Sequence, residues 1–181
     1  MSLPANFRDV GEALELWLDP SPVPPGRLLR GGRLDVLTSA SDLGRPATIL
    51  NLRRGADERT LQDVRYLQVA AANDLENYDT TSRKVRNWLG SALSVLADPN
   101  TAWPVYLHCT SGRDRTGVVV AGALLLIGVP KAVVIEEYLL SEGAERSRIQ
   151  QAIDGILSET GTLGVNADRL RLALCGTRGD S

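Results

Sequence analysis

The feature that most constrains this chain is a run of small and charged residues, His108-Cys109-Thr110-Ser111-Gly112-Arg113-Asp114-Arg115-Thr116-Gly117, set between two apolar segments of different period. Before it, Pro104 to His108 has the length and apolar density of a buried strand. After it, Thr116 to Ile127 stays apolar over too many residues for a strand and reads as a buried helix. A strand running directly into a helix predicts an α/β unit whose connecting loop lies at the carboxyl edge of a sheet, where such folds place ligands. Ala47 to Leu52 and Tyr66 to Ala71 are further strand-length runs, with Leu28 to Arg30 and the alternating Glu12 to Leu18 as weaker candidates. Helical periodicity predicts helices over Thr81–Leu96, Lys131–Ser141, Arg146–Glu159 and Ala167–Leu174; Pro130 suits a helix opening, and Thr80 or Thr81 a cap. The expected fold is α/β: a central, mostly parallel sheet of about four to five strands flanked by helices. Residues 1–181 are expected to form one domain, because too few residues precede the Pro-rich loop Asp19–Gly26 to build a core of their own.

Each residue type in the central loop serves the chemistry of an anion. A loop entering a helix N-terminus aims its amides inward, and the helix dipole favours negative charge there. Gly112 permits a backbone angle that a β-carbon resists, so Thr110, Ser111, Gly112 and Arg113 can curl into a nest of N–H donors. Arg115 supplies a planar fork matched to two phosphate oxygens. The same surroundings act on Cys109: a free thiol titrates at roughly 8.5, and helix N-termini with neighbouring cations bring cysteines down to about 3.5–7.5. Cys109 is then the expected nucleophile, attacking phosphorus as a thiolate. Thr116 is placed to donate its hydroxyl to that thiolate as it leaves, and His108 to orient the loop through hydrogen bonds. A lone cysteine at a strand end is ordinarily a small hydrophobe; the spacing His-Cys-x5-Arg-Thr-Gly across a strand-to-helix junction reverses that expectation. Rival motifs fail on residues. Val118 stands where a Walker loop after Gly112-x4-Gly117 needs lysine, and Cys109 and Arg113 occupy the glycine positions of a Gly-x-Ser-x-Gly elbow around Ser111. A rhodanese-type sulfur transferase uses a cysteine loop one residue shorter.

Composition narrows the alternatives. With a formal net charge of -2 the chain has no broad basic footprint for nucleic acid or a membrane surface. One histidine excludes a metal site built from several imidazoles, and no cofactor or metal is expected. The apolar stretch Val118–Val129 is too short to span a bilayer. Two cysteines, Cys109 and Cys175, do not form a secreted disulfide framework, and Met1–Asn6 lacks a signal-peptide pattern, so a reducing cytoplasmic setting is expected. Cys175, in the last helix, reads as a packed thiol.

The segment Cys109-Thr110-Ser111-Gly112-Arg113-Asp114-Arg115-Thr116-Gly117 resembles the signature of the protein tyrosine phosphatase superfamily. More narrowly, it resembles bacterial and fungal tyrosine/serine phosphatases with a Cys-x-x-Gly-Lys-Asp-Arg-Thr-Gly loop. Asn6-Phe7-Arg8-Asp9-Val10-Gly11 is similar to the family's opening Asn-Phe-Arg-Asp-Leu-Gly, Leu29-Arg30-Gly31-Gly32-Arg33-Leu34 to its Tyr-Arg-Ser-Gly-Arg-Leu, and Ile49-Leu50-Asn51-Leu52-Arg53 to its Ile-Asp-Leu-Arg. Arg113 replaces the family's usual loop lysine, and Glu12 its second opening glycine. The resemblance implies a dual-specificity-type fold and hydrolysis of phosphotyrosine, with phosphoserine and phosphothreonine as further substrates, through a phosphocysteine. Its alternatives are a phosphoinositide or inositol-phosphate phosphatase with the same residues in the same roles, and a catalytically silent phosphate-binding module. The partner is a phosphorylated protein or a phosphoinositide; oligomeric state is not legible.

Breaking the P–O bond requires a proton for the leaving oxygen. The resemblance implies an aspartate a few tens of residues before the cysteine, and Asp74 fits, with Glu76 and Asp79 nearby. Asp114 is the rival acid, since related lipid phosphatases with an Asp-Arg-Thr loop use that position; the other reading of Asp114 is a salt bridge to a nearby arginine. Arg113 at the loop mouth suits a second substrate phosphate or a solvated charge. Arg30, Arg33, Arg53 and Arg54, at or beyond strand ends, are expected to form ion pairs with residues such as Asp57 or Glu58.

Overall fold

The structure is a computed structural model and describes residues 3–36, 39–58, 61–71, 76–158 and 163–176. Its sheet has five strands, β1 (Arg8–Asp9), β2 (Leu28–Gly31), β3 (Thr48–Asn51), β4 (Arg65–Gln68) and β5 (Val105–His108), in the spatial order β1-β2-β5-β3-β4. β2, β5, β3 and β4 run parallel, and β1 is antiparallel to β2. Gly31 of β2 and Asn51 of β3 both sit in register with His108 of β5. The carboxyl ends of three strands therefore lie level, and they form the ledge from which the central loop departs.

Among the described residues the sheet is accompanied by six α-helices: α1 (Val10–Leu14), α2 (Arg83–Ala97), α3 (Asp114–Leu126), α4 (Lys131–Leu139), α5 (Arg146–Ser158) and α6 (Ala167–Cys175). The strands alternate with period two between a large and a small apolar layer. Leu28, Leu50, Val105 and Leu107 face the layer built with the helices, while Leu29, Ile49 and Tyr106 face a smaller one closed by Leu34 and Leu43. These last two sit in short 3-10 turns, Leu34–Val36 and Ala40–Leu43. α3 is buried at every position from Thr116 to Leu124, which explains its unbroken apolar sequence: it has neighbours on all sides and no solvent face.

The strand and helix runs expected from the sequence form, with two corrections. Glu12–Leu18 is not a strand. Asp9 accepts hydrogen bonds from the amides of Gly11 and Glu12, and this cap starts α1 at Val10, so the helix takes up the first three residues of the alternating stretch. The residue ahead of α2 is Ser82 rather than Thr80 or Thr81. The Thr80 hydroxyl instead donates to the buried Ala152 carbonyl of α5 and that of Thr81 to the Asp79 carboxylate two residues before it, both at 2.6 Å. The two-residue β1 and the 3-10 turns carry too little periodicity to be legible. Among the described residues no helix is long and apolar enough to cross a membrane.

Candidate active site

The loop after β5 enters α3 at Asp114, so it curls at the helix N-terminus. Cys109 lies at its root, 2% exposed, directly after the last sheet residue. The loop is pressed onto the glycine pair that ends β2. Gly112 has φ +71°, and a β-carbon there would run into the Gly31 backbone. On the other side, a β-carbon on Gly32 would meet the Thr110 carbonyl at 2.9 Å. Glycines in both partners let the two backbones touch.

His108 is completely buried on the small-layer side, its ring stacked 5.5 Å from that of Tyr106. Nδ1 lies 3.2 Å from the Cys109 carbonyl oxygen, and Nε2 approaches Asp57 Oδ2 to 2.9 Å at an angle short of a well-aligned hydrogen bond. Asp57 is held on all sides: Tyr66 donates to Oδ2 at 2.9 Å and Arg53 Nη1 to Oδ1 at 3.1 Å. Burial pushes the Asp57 pKa up, but the close contact with His108, the Tyr66 hydroxyl and the Arg53 charge outweigh it and hold the carboxyl below the usual range.

On the opposite wall, Arg113 turns back on Asp114 through Nε at 3.1 Å and Nη2 at 3.2 Å, and its Nη1 donates to the Gly143 carbonyl at 3.2 Å. Tyr78 donates to Asp114 Oδ1 at 2.5 Å and shares a 2.7 Å hydroxyl contact with Tyr138. Burial raises the Asp114 pKa, but the hydrogen bonds from Arg113 and Tyr78 and the charge of Arg113 prevail, leaving it below the usual carboxylate range. Asp114 is therefore an acceptor with its proton already gone at neutral pH. Arg115 is differently placed: its guanidinium reaches the Leu52 carbonyl and the Thr110 hydroxyl only at 3.5 Å each. With Glu76, Asn77, Tyr78, Arg113 and Asp114 it lines a cavity of about 330 Å³ beside the loop. The Thr116 hydroxyl is fully buried and has no hydrogen-bond partner among the described residues. Among the described residues no three His, Cys, Asp or Glu side chains gather as a metal site would require.

A strand-loop-helix unit carrying this residue set has clear relatives. The model of the tyrosine phosphatase family matches residues 2–177. The chain belongs to the tyrosine phosphatase family. A tyrosine-protein phosphatase from Nostoc commune is 40% identical over 55 residues, covering 28% of this chain and 19% of that protein. The triple specificity protein phosphatase PtpB of Mycobacterium tuberculosis is 36% identical over 88 residues, covering 39% of this chain and 32% of PtpB. The chain thus spans a third or less of the length of these curated relatives. Two structures of the catalytic core of Siw14, one of them described as a PP-IP phosphatase from S. cerevisiae in complex with citrate, superpose with TM-scores of 0.55 and 0.63 at 18% identity. They cover 84% and 85% of this chain and 86% of the Siw14 chains, and at that identity they establish the shared fold.

Of the site residues expected from the sequence of this tyrosine phosphatase family member, the loop brings together His108, Cys109, Thr110, Ser111, Gly112, Arg113, Asp114, Arg115 and Thr116. Asp74 lies outside the described residues. Asp79 sits in a turn bonded to Glu76 and Thr81, and Arg53 pairs with Asp57 as expected. Arg33 pairs instead with Asp35 at 2.8 Å. Arg30 reaches neither Asp57 nor Glu58: it is wholly buried and bonds Glu137 Oε2 of α4 at 2.7 Å. Burial lowers its pKa to about 10, opposed by Glu137, so it stays charged. Tyr78, Tyr138 and Glu137 were not singled out, because nothing in a linear sequence places them against the loop.

Proposed function

We propose that the chain is a cysteine-dependent phosphomonoester hydrolase acting on phosphotyrosine, with phosphoserine and phosphothreonine as further substrates, and that residues 1–181 form its single catalytic domain. One observation carries the proposal: Arg115, held among the described residues by two long contacts alone, lines with Arg113 and Asp114 a cavity beside the loop that begins at Cys109. A guanidinium without a short partner, beside a loop of amides at a helix N-terminus, fits a phosphoryl group better than a structural ion pair does.

In the proposed reaction the Cys109 thiolate attacks phosphorus in line with the ester oxygen. The S–P bond forms as the P–O bond breaks, and the departing oxygen takes a proton from a carboxylic acid. Water then attacks the phosphocysteine, releasing inorganic phosphate and the thiolate. Arg115 and the loop amides of Thr110–Arg113 carry the equatorial oxygens in both steps. The unpaired, buried Thr116 hydroxyl supports its role as donor to the departing thiolate, since such a group is ordinarily bonded. The depressed pKa of Asp114 argues for Asp74 as the acid. Arg113, already committed to Asp114 and Gly143, offers little to a second substrate phosphate, which favours a phosphoprotein over a phosphoinositide. A nucleophilic thiolate suits the reducing cytoplasm.

The test is a panel of phosphotyrosyl, phosphoseryl and phosphothreonyl peptides and phosphoinositides, assayed with EDTA present and with Cys109→Ser. Phosphotyrosyl peptide turnover should survive EDTA and fall by a factor on the order of 10⁴ or more in Cys109→Ser. Activity abolished by EDTA and kept by Cys109→Ser would overturn the mechanism. A phosphoinositide turned over faster than any peptide would replace the substrate.

A further inference from the structure

Three successive carbonyls of the catalytic loop are each bonded by a donor from outside it. Thr110 O accepts from the Arg33 amide at 3.2 Å, Ser111 O from Asn6 Nδ2 at 2.8 Å, and Gly112 O from Arg30 Nη2 at 2.9 Å. In a planar trans peptide the C=O of one residue and the N–H of the next point in opposite directions. Drawing these three oxygens outward therefore turns the amides of Ser111, Gly112 and Arg113 to the inner side of the loop. None of those amides donates to an acceptor among the described residues.

Asn6 is built for this place. Its backbone has φ 55°, a conformation asparagine tolerates better than most residues. Its other amide atom, Oδ1, accepts from the Glu142 amide at 2.8 Å, so the side chain cannot turn away from Ser111. Arg30 is held as firmly by Glu137, which also binds Arg8 Nε at 2.8 Å. We infer that Asn6, with Arg30 and the Arg33 amide, is a positioning residue that keeps the catalytic loop's amides turned toward a bound oxyanion. It touches no reacting atom and acts through the peptide planes of the loop. The inference rests on the phosphate-site proposal above.

Asn6→Asp and Asn6→Gly separate this role from general packing. Asp keeps the acceptor for Glu142 and tolerates the backbone angle but cannot donate to Ser111; Gly keeps the angle, carries no charge and loses both bonds. The readout is the rate of Cys109 alkylation by iodoacetate relative to neutral iodoacetamide, together with inhibition by inorganic phosphate. Both are measured well below each variant's melting midpoint, with folding checked by circular dichroism. In the unmodified protein the anionic reagent should be favoured over its ratio with a free thiol. Both variants should lower that preference, and weaken phosphate inhibition, by about fivefold, the change that one ordinary hydrogen bond carries. An unchanged ratio in Asn6→Gly overturns the inference, even if Asn6→Asp falls, because charge repulsion alone would then account for the loss. No anion preference in the unmodified protein would overturn the phosphate-site proposal as well.

Discussion

Asp114 and Asp57 flank the catalytic loop, and both are carboxylates held below their ordinary pKa by what surrounds them. A group bonded by Arg113 and by the Tyr78 hydroxyl has no proton to give at neutral pH, so its contribution is to fix Arg113 and Tyr78 beside Arg115. Asp114→Asn keeps the volume and removes the charge. Its expected effect is a fall in kcat of about tenfold, of equal size for aryl phosphates with good and poor leaving groups. Asp74→Asn, by contrast, should cost more the poorer the leaving group, because only then does departure depend on a proton. Steady-state rates over a series of substituted phenyl phosphates distinguish the two. A leaving-group dependence that belongs to Asp114 and is absent at Asp74 would reverse the assignment. Tyr78→Phe removes one of the bonds that depress Asp114, so the Asp114 pKa should rise toward its ordinary value. Arg113 keeps it well under neutrality, and kcat at pH 7 should change by less than about threefold.

At the scale of the element, the β5–loop–α3 unit was legible because its chemistry and its periodicity change at the same residues. Apolar runs mark where the strand stops and the helix begins, and the residues between them are neither. What surrounds the unit was not legible, for a physical reason. Arg30 reads as an exposed strand-end cation until β2 is seen to lie beside β5, where the buried Glu137 balances it. The misread strand at Glu12–Leu18 has a similar cause: a cap at Asp9 decides the structure locally and leaves no trace in the apolar pattern. Two of the unit's glycines, Gly112 and Gly117, predict different outcomes because of their packing. Gly112→Ala places a β-carbon at a positive φ against the Gly31 backbone, which cannot yield. It should abolish turnover and destabilise the protein by about 2 kcal/mol or more. Gly117→Ala meets the Tyr138 ring at 2.6 Å, and a ring can shift where a backbone cannot. It should destabilise by about 1–3 kcal/mol. Chemical denaturation with matched activity assays checks both, and equal losses from the two would show that the loop does not depend on close contact with β2.

Across the whole molecule these local charges become a dependence of stability on pH, and the sign follows from the direction of each shift. A carboxyl whose pKa is lower folded than unfolded stabilises the fold above its unfolded value of roughly 3.9, and that contribution is lost as pH falls through the folded value. Asp57 and Asp114 both contribute in this direction. Asp57 contributes the more securely, because its side chain is fully buried and that of Asp114 is 31% exposed and better screened. Melting midpoints should therefore vary little on account of these groups between pH 5 and pH 7, and drop as the pH is lowered from about 4 toward 2. Asp57→Asn should cost about 1–3 kcal/mol at pH 7, since Arg53, Tyr66 and His108 lose the charge they face. That difference should shrink as the acid limb is descended, because protonating Asp57 in the unmodified protein removes the same charge. Melting curves of the two proteins that stayed parallel from pH 7 down to pH 3 would mean that Asp57 titrates normally in the fold. The acid sensitivity left in Asp57→Asn should shrink again in the double variant with Asp114→Asn, because among the described residues the two groups share no hydrogen-bond partner.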